Sequence, residues 1–409
     1  MARRDSIFCC QAFGRLPGGP GDEEAIIALP LAISWICLAL AFAGSVYALT
    51  AGILVRRFAR RPAPLANGRA SVTILKPLHG AEPGLHDNLA SFCAQDYPGP
   101  VQIIFGVQDP ADAAIAVVRR LMADFPSADI SMVVDPSPHG ANRKIANLIN
   151  MAKSIRHDIV VLADSDMRVE RDYLARVIGA LAQPGIGLVT CLYRGVPAAG
   201  FWSRLAAMAI DYHFLPSVLL GLSLGIARPC FGSTIALSRD MLTRIGGFEA
   251  FADHLADDNA IGEAVRRAGQ RVAIPTMVIA HACPTRGPRE LFHQELRWAR
   301  TIRALDPPGF LGSVVTHPLP FALLALGTGH MGVLGAVVVA GVIACRLVLQ
   351  AQVDHALGLT ATRWPLGPLR DLLSFLVFVA SWFGGAVSWR GRRYRVGRDG
   401  ILIPLEERA

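Results

Sequence analysis

Between Ile26 and Val55 the chain carries no charged residue, and the same is true from Pro307 to Cys345 and from Leu372 to Trp389. About 20 apolar residues suffice to cross the hydrocarbon core of a bilayer. Each run meets or approaches that length, so these stretches must be buried in protein or in lipid. Only 18% of the 409 residues are charged, against about 25% in average soluble domains. The balance argues against a purely soluble enzyme and against disorder. The first run is too long for the core of a signal peptide, and its basic cluster follows it. It is expected to be a retained transmembrane helix over residues 25–55, after an N-terminal tail at 1–24.

The formal charge is +8, and the arginines crowd at membrane flanks. Arg56, Arg57, Arg60 and Arg61 follow the first run; Arg390, Arg392, Arg393, Arg395 and Arg398 follow the last. That placement favours a membrane over nucleic acid as partner. The positive-inside rule puts the N-terminus outside and all that follows Arg56 in the cytoplasm, at the cell (inner) membrane. A basic linker is expected at 56–69, with PAPLANGR at 62–69. Membrane segments are expected at 306–350, where Gly327, Gly329 and His330 would mark a turn, or Pro318 and Pro320 a re-entrant segment. An interfacial linker is expected at 351–371, a transmembrane helix at 372–389 and a basic cytoplasmic tail at 390–409. A cytoplasmic tail requires that one of the C-terminal segments is interfacial or re-entrant. The eight cysteines form no CxxC, so a zinc or thioredoxin-type site is not expected.

Residues 70–305 read as one α/β domain. Apolar strands at Val72–Leu75, Val101–Val107, Ile130–Val134 and Ile159–Leu162 alternate with helical patterns at 111–124, 142–155 and 172–182. Such near-continuous apolar strands suggest a parallel sheet covered on both faces. The stretch 199–235 reads equally as a core helix or as an amphipathic segment on the membrane surface.

In an open α/β sheet, ligands bind at the carboxyl ends of strands. Asp164 and Asp166 stand there, directly after Ile159–Leu162, where two carboxylates can hold a hard cation together with a diphosphate. Asp109 ends the strand Val101–Val107; an Asx turn before Pro110 is its plainer reading. Asp257 and Asp258 lead into a helical pattern, where one can cap the helix and one can serve as a general base. Gln294, Arg297 and Trp298 lie near one another at helical spacing. Arginine offers planar donors to a phosphate and tryptophan a flat apolar face.

Each of these signals is weak alone, but their order is specific. Strand-end Asp, DxD, DD and QxxRW, then membrane spans, resemble the inverting GT-A (Rossmann-like) glycosyltransferases, and within them the ceramide glucosyltransferase family. The resembling stretches are LKPLHGAEPGLHDNLASFCAQDYP (75–98), GVQDPADAAI (106–115), NRKIANL (142–148), LADSDMRV (162–169), LADDNAIG (255–262), HQELRW (293–298) and SWRGRRYRVGRDG (388–400). The bacterial hopanoid-biosynthesis-associated glycosyltransferases are similar in these motifs. The resemblance implies a UDP-sugar donor, a membrane-lipid acceptor and a divalent cation, Mg²⁺ or Mn²⁺. It implies that Asp109 contacts the uridine and Lys144 the nucleotide or phosphates, and that Asp164 and Asp166 hold the diphosphate through the metal. It makes Asp258 the catalytic base, with Asp257 where Glu is common, and Gln294, Arg297 and Trp298 the QxxRW element. His281 and His293 are either near this site or structural. A processive polysaccharide synthase shares the motifs but needs more spans. A transporter would carry charges inside its spans, and a non-catalytic adaptor would not keep every carboxylate.

Overall fold

The computed structural model describes residues 20–62, 69–198, 200–330, 332–359, 361–389, 392–397 and 400–404. Linker residues 63–68 and most of the N-terminal tail lie outside them.

Helix α1 (Pro20–Ala59) begins before the charge-free run and continues through Arg56 and Arg57. Residues 20–24 and 56–59, expected as tail and linker, are therefore helical. At 1.5 Å per residue the helix is about 60 Å long, twice the hydrocarbon thickness. Its second half continues into the protein, where Tyr47, Ala48, Ala51, Val55 and Phe58 are buried. Trp35, Ile36 and Phe42 on the first half stay exposed, as lipid-facing side chains would.

The α/β domain then builds up as β1 (Val72–Pro77), α2 (Leu85–Cys93), β2 (Val101–Val107), α3 (Ala114–Asp124), β3 (Asp129–Val134), α4 (Arg143–Ala152), β4 (Ile159–Leu162), β5 (Met167–Arg168), α5 (Tyr173–Leu181), β6 (Ile186–Val189) and β7 (Leu192–Pro197). After a long helical insertion come β8 (Ile235–Ser238), β9 (Arg271–Ala273) and β10 (Val278–Cys283). The main sheet has the order β3-β2-β1-β4-β8-β6-β9. Strands β3, β2, β1 and β4 are parallel, whereas β8 runs antiparallel to β4 and to β6. The all-parallel expectation is thus corrected: the chain reaches β8 by a 37-residue excursion after β7 and re-enters from the opposite end. Apolar clusters fill both faces, one under α2, α3 and α5, the other under α4 and the helix carrying Asp258. A second sheet, β5-β10-β7, lies beyond the carboxyl end of β4.

The excursion is α6 (Gly200–Ala209), a π turn at Ile210–Phe214 and α7 (Leu215–Ser223). It is long and apolar enough to cross a membrane, but 61% of it is buried in protein. The reading as a core helix describes it better than the surface-lying one. After α8 (Arg239–Arg244) and α9 (Asp257–Arg267), helix α10 (Pro288–Leu305) leaves the domain. Then α11 (Pro307–Gly312) and α12 (Pro318–Gly327) form an apolar pair bent by 63° at the proline break, and α13 (Gly332–Leu357) is a span-length helix only 22% buried. Gly44 of α1 lets this bent pair approach: a Cβ there would lie 2.6 Å from the Val315 carbonyl oxygen.

Helix α14 (Gly367–Ser381) corrects the expected transmembrane helix at 372–389. It starts five residues earlier, with Pro368 in its first turn, and stops at Ser381. Two residues past the Trp382 cap, Gly384 has φ 84°, a left-handed conformation that suits glycine and turns the chain away from the helix. Fifteen residues reach about 22 Å, short of the bilayer core. Residues 386–389 are instead β11 (Ala386–Trp389), paired with β12 (Arg392–Val396) and then β13 (Leu402–Pro404). The expected basic tail at 390–409 is, over its described residues 392–396 and 402–404, part of a sheet. It docks on the loop before α9: the Leu255 N–H donates to the Gly400 carbonyl and the Leu402 N–H to the Asp253 carbonyl.

Candidate functional site

The chain reverses after β4, so Asp164 and Asp166 emerge at the carboxyl end of the sheet beside β1 and β8. Asp164 Oδ1 pairs with Lys144 Nζ at 2.8 Å, and the same ammonium lies 3.1 Å from Asp257 Oδ2. Lys144 is placed by α4, whose N-cap Asn142 accepts from the Lys144 and Ile145 N–H groups. It stands inside the carboxylate cluster as its counter-ion. Burial opposes its charge, but Asp164, Asp257 and Asp258 outweigh that and hold it well above the ordinary lysine range.

Asp166 Oδ2 meets His281 Nε2 at 3.2 Å. Its Oδ1 is buried with no hydrogen-bond partner among the described residues. Burial raises the carboxyl, but His281 beside it prevails and holds Asp166 below its usual range. Burial disfavours the His281 charge, and Asp166 overcomes this and keeps the imidazole protonated well above its usual value. Asp164 shifts the other way: burial lifts it, the nearby Asp166 charge adds to this, and Lys144 opposes.

The two aspartates opening α9 are unlike each other. The N-cap of α9 is Ala256, with no side-chain cap, so neither aspartate has the capping role expected. Asp257 is 6% exposed and locked by Lys144 and by the Asn142 amide. Asp258 is half-buried, and its oxygens accept from the Asn259 and Gly232 N–H groups at 2.8 and 3.0 Å. Burial and the neighbouring Asp257 charge raise its carboxyl to about 6.

Gly232 was not singled out in the sequence. Its carbonyl accepts from the Asp164 N–H at 3.2 Å while its own N–H donates to Asp258. A Cβ at this position would lie 2.6 Å from Asp164 Oδ2 and 2.9 Å from Lys144 Nζ. Lys76, at the end of β1, was also missed. It is fully buried, donates to the Asp164 carbonyl at 2.5 Å and covers the Phe92 ring at 3.7 Å. Burial lowers its ammonium to about 7 against the pull of Asp166 and Asp164. A lysine in an otherwise apolar strand was the available signal.

Helix α10 brings the QxxRW element to this cluster. Trp298 packs edge-on to His281, ring centres 6.4 Å apart. Arg297 is half-buried; burial lowers its guanidinium and Asp164 opposes, which places the arginine within electrostatic reach of the DxD. Gln294 lies one turn before Trp298 and is half-buried. Two residues are not brought in. Asp109 is exposed and forms the Asx turn, accepting from the Ala111 N–H at 2.8 Å. His293 instead lines a groove of about 410 Å³ with Trp202, Leu205, Phe292, Leu369 and Leu373, between α6, α10 and α14.

No three His, Cys, Asp or Glu side chains converge as a metal cage among the described residues. A hard cation that keeps substrate oxygens as ligands needs only one or two carboxylates from the protein. The orphaned Asp166 Oδ1 beside Asp164 fits that requirement. The six described cysteines are free, four of them buried.

Residues 36–402 match glycosyl transferase family 21. Ceramide glucosyltransferase 1 of Caenorhabditis elegans is 24% identical over 267 residues, 64% of this chain and 56% of that one. Beta-monoglucosyldiacylglycerol synthase of Synechocystis is 26% identical over 226 residues, 53% of this chain and 45% of that one. The match thus spans about half the length of these relatives. Among solved structures, a mannosyltransferase of Pyrobaculum calidifontis in complex with GDP-Man and Mn²⁺ aligns over 86% of this chain and 99% of its own, with TM-score 0.51 and 22% identity. It shares the GT-A fold.

Proposed function

The chain belongs to glycosyl transferase family 21, and on that premise we propose that it is a membrane-bound inverting enzyme moving a hexose or N-acetylhexosamine from a UDP-sugar to a lipid hydroxyl. The observation that carries this is Gly232, whose N–H donates to the half-buried Asp258 carboxylate while its carbonyl accepts from the backbone N–H of the DxD aspartate Asp164. Such a pair serves both ends of one displacement. The acceptor oxygen attacks the anomeric carbon, the bond from that carbon to the UDP oxygen breaks, and the acceptor proton passes to Asp258. One displacement inverts the anomeric centre. An alcohol is a poor nucleophile until a base removes its proton, and Asp258, raised to about 6, is a stronger base than an ordinary aspartate.

Asp164 and Asp166 would hold Mg²⁺ or Mn²⁺, and when bound that cation neutralises charge on the departing diphosphate. Arg297 adds a planar donor on the same side. The groove between α6, α10 and α14 suits a long-chain acceptor such as a ceramide, a hopanoid alcohol or a diacylglycerol. The arginines at the end of α1 support a domain on the cytoplasmic face of the cell membrane, where nucleotide sugars are made.

The test is transfer of labelled sugar from UDP-glucose and UDP-N-acetylglucosamine to ceramide and diacylglycerol in detergent, with the product anomer assigned by NMR. A lipid product of inverted configuration, lost in excess EDTA, is expected. UDP-sugar turnover with no lipid product, or full activity in EDTA, sinks the corresponding part. A periplasmic reporter fused after Arg61 should be inactive.

A further inference from the structure

The best-satisfied side chain outside the carboxylate cluster is Arg370, in the segment expected to be an interfacial linker. Its side chain is 1% exposed. Nη1 and Nη2 donate to the two Glu295 carboxylate oxygens at 2.7 and 2.6 Å. Nη1 also donates to the Leu205 carbonyl at 3.3 Å, and Nε and Nη2 donate to Ser374 Oγ at 3.1 and 2.9 Å. A guanidinium has five N–H donors, and each has a partner here. Those partners lie on α6, α10 and α14, the three helices that form the apolar groove.

Glu295 sits between Gln294 and Arg297. Two residues along a helix turn about 200°, so Glu295 points away from the face that offers Arg297 to the DxD. The pair therefore grips the back of α10 at the level of its functional residues. A buried ion pair is a poor device for stability, because apolar residues of the same volume do as well or better. What a bidentate fork supplies instead is a set distance and a set rotation.

We infer that Arg370 is a positioning residue: through Glu295 it sets the height and rotation of α10, and so where Arg297 and Trp298 stand relative to the UDP-binding carboxylates. The inference rests on the proposed transferase reading for its kinetic arm, and on UDP binding alone for its other arm.

Two variants of the full-length protein in detergent test it. Arg370→Lys keeps the charge and loses the fork. Glu295→Leu/Arg370→Met removes the pair without leaving a buried charge. Both are measured for melting temperature, UDP affinity by calorimetry in the presence of Mn²⁺, and kcat and KM with a UDP-sugar and a lipid acceptor. The double variant should melt at or above the parent, yet bind UDP at least fivefold more weakly and turn over at least tenfold more slowly. Arg370→Lys should show the same losses, out of proportion to any drop in melting temperature. A double variant that binds UDP and turns over like the parent overturns the inference, as does a loss in Arg370→Lys that only tracks stability. A parent that binds UDP but transfers no sugar overturns the transferase reading, and the UDP arm still decides the role of Arg370.

Discussion

Two clusters of buried charge flank α10, and their carboxylate oxygens are treated in opposite ways. In the membrane-side cluster every carboxylate oxygen has a donor. Asp371 Oδ1 accepts from Arg346 and meets His213, and Oδ2 accepts from Arg346. Asp354 takes the Tyr212 hydroxyl and the Trp364 indole, and Glu295 takes Arg370 twice. In the site cluster, four aspartates share Lys144, Lys76 and His281, and Asp166 Oδ1 faces nothing. The first arrangement satisfies its carboxylates, although Arg346 Nη1 and His213 Nδ1 are buried without a hydrogen-bond partner among the described residues. The second is short of positive charge and is completed only by something that arrives. Buried charge by itself therefore does not mark a site; a buried carboxylate oxygen left without a donor does.

The comparison breaks most readily at Asp258. Asp258→Asn should keep UDP binding and lose about 10²–10⁴-fold in turnover, read from kcat beside calorimetry. If it turns over normally while Asp257→Asn is dead, the base is the other aspartate. Gly232→Ala should cost about 100-fold, the scale for a displacement of about 1 Å at reacting groups, because its Cβ would meet Asp164 Oδ2. Around Arg346, away from the Glu295–Arg370 pair, the effect should appear in stability. Asp371→Ala leaves Arg346 buried and unpaired and should cost about 3–5 kcal/mol, measured by unfolding in detergent, whereas Arg346→Met/Asp371→Leu should recover most of it. Asp166→Asn should end metal-dependent transfer, at a stability cost of about 1–3 kcal/mol, since His281 loses the carboxylate that charges it. The pH response is the mildest test. A base is active when deprotonated, so kcat/KM should rise with pH and level off above about 6, the value for Asp258. A profile flat down to pH 5 would remove Asp258 from that role.

The parts of this arrangement legible in the sequence are the local ones. Strands β2 and β4 have the bounds expected from their apolar runs. The DxD shows because its aspartates are neighbours, and QxxRW because its residues share a helix face. What was not legible depends on residues far apart in the chain. Glu295 and Arg370 are 75 positions apart, and nothing local joins a glutamate inside HQELRW to an arginine ahead of the last apolar run. Gly232 looks like any loop glycine until Asp164 and Asp258 are seen on either side of it. The end of α14 is hidden for a different reason: hydropathy continues past Ser381, and only the Gly384-Gly385 pair hints at the break.

Gly232 also fixes a spacing. Its N–H and its C=O belong to the two planar peptide units that meet at its Cα, so a single residue of backbone separates them. One group holds the Asp258 carboxylate and the other the Asp164 backbone N–H, like two jaws on one rivet. On the proposed transferase reading, loops around the site can lengthen, and the groove can be reshaped for a different lipid, without moving these two aspartates apart.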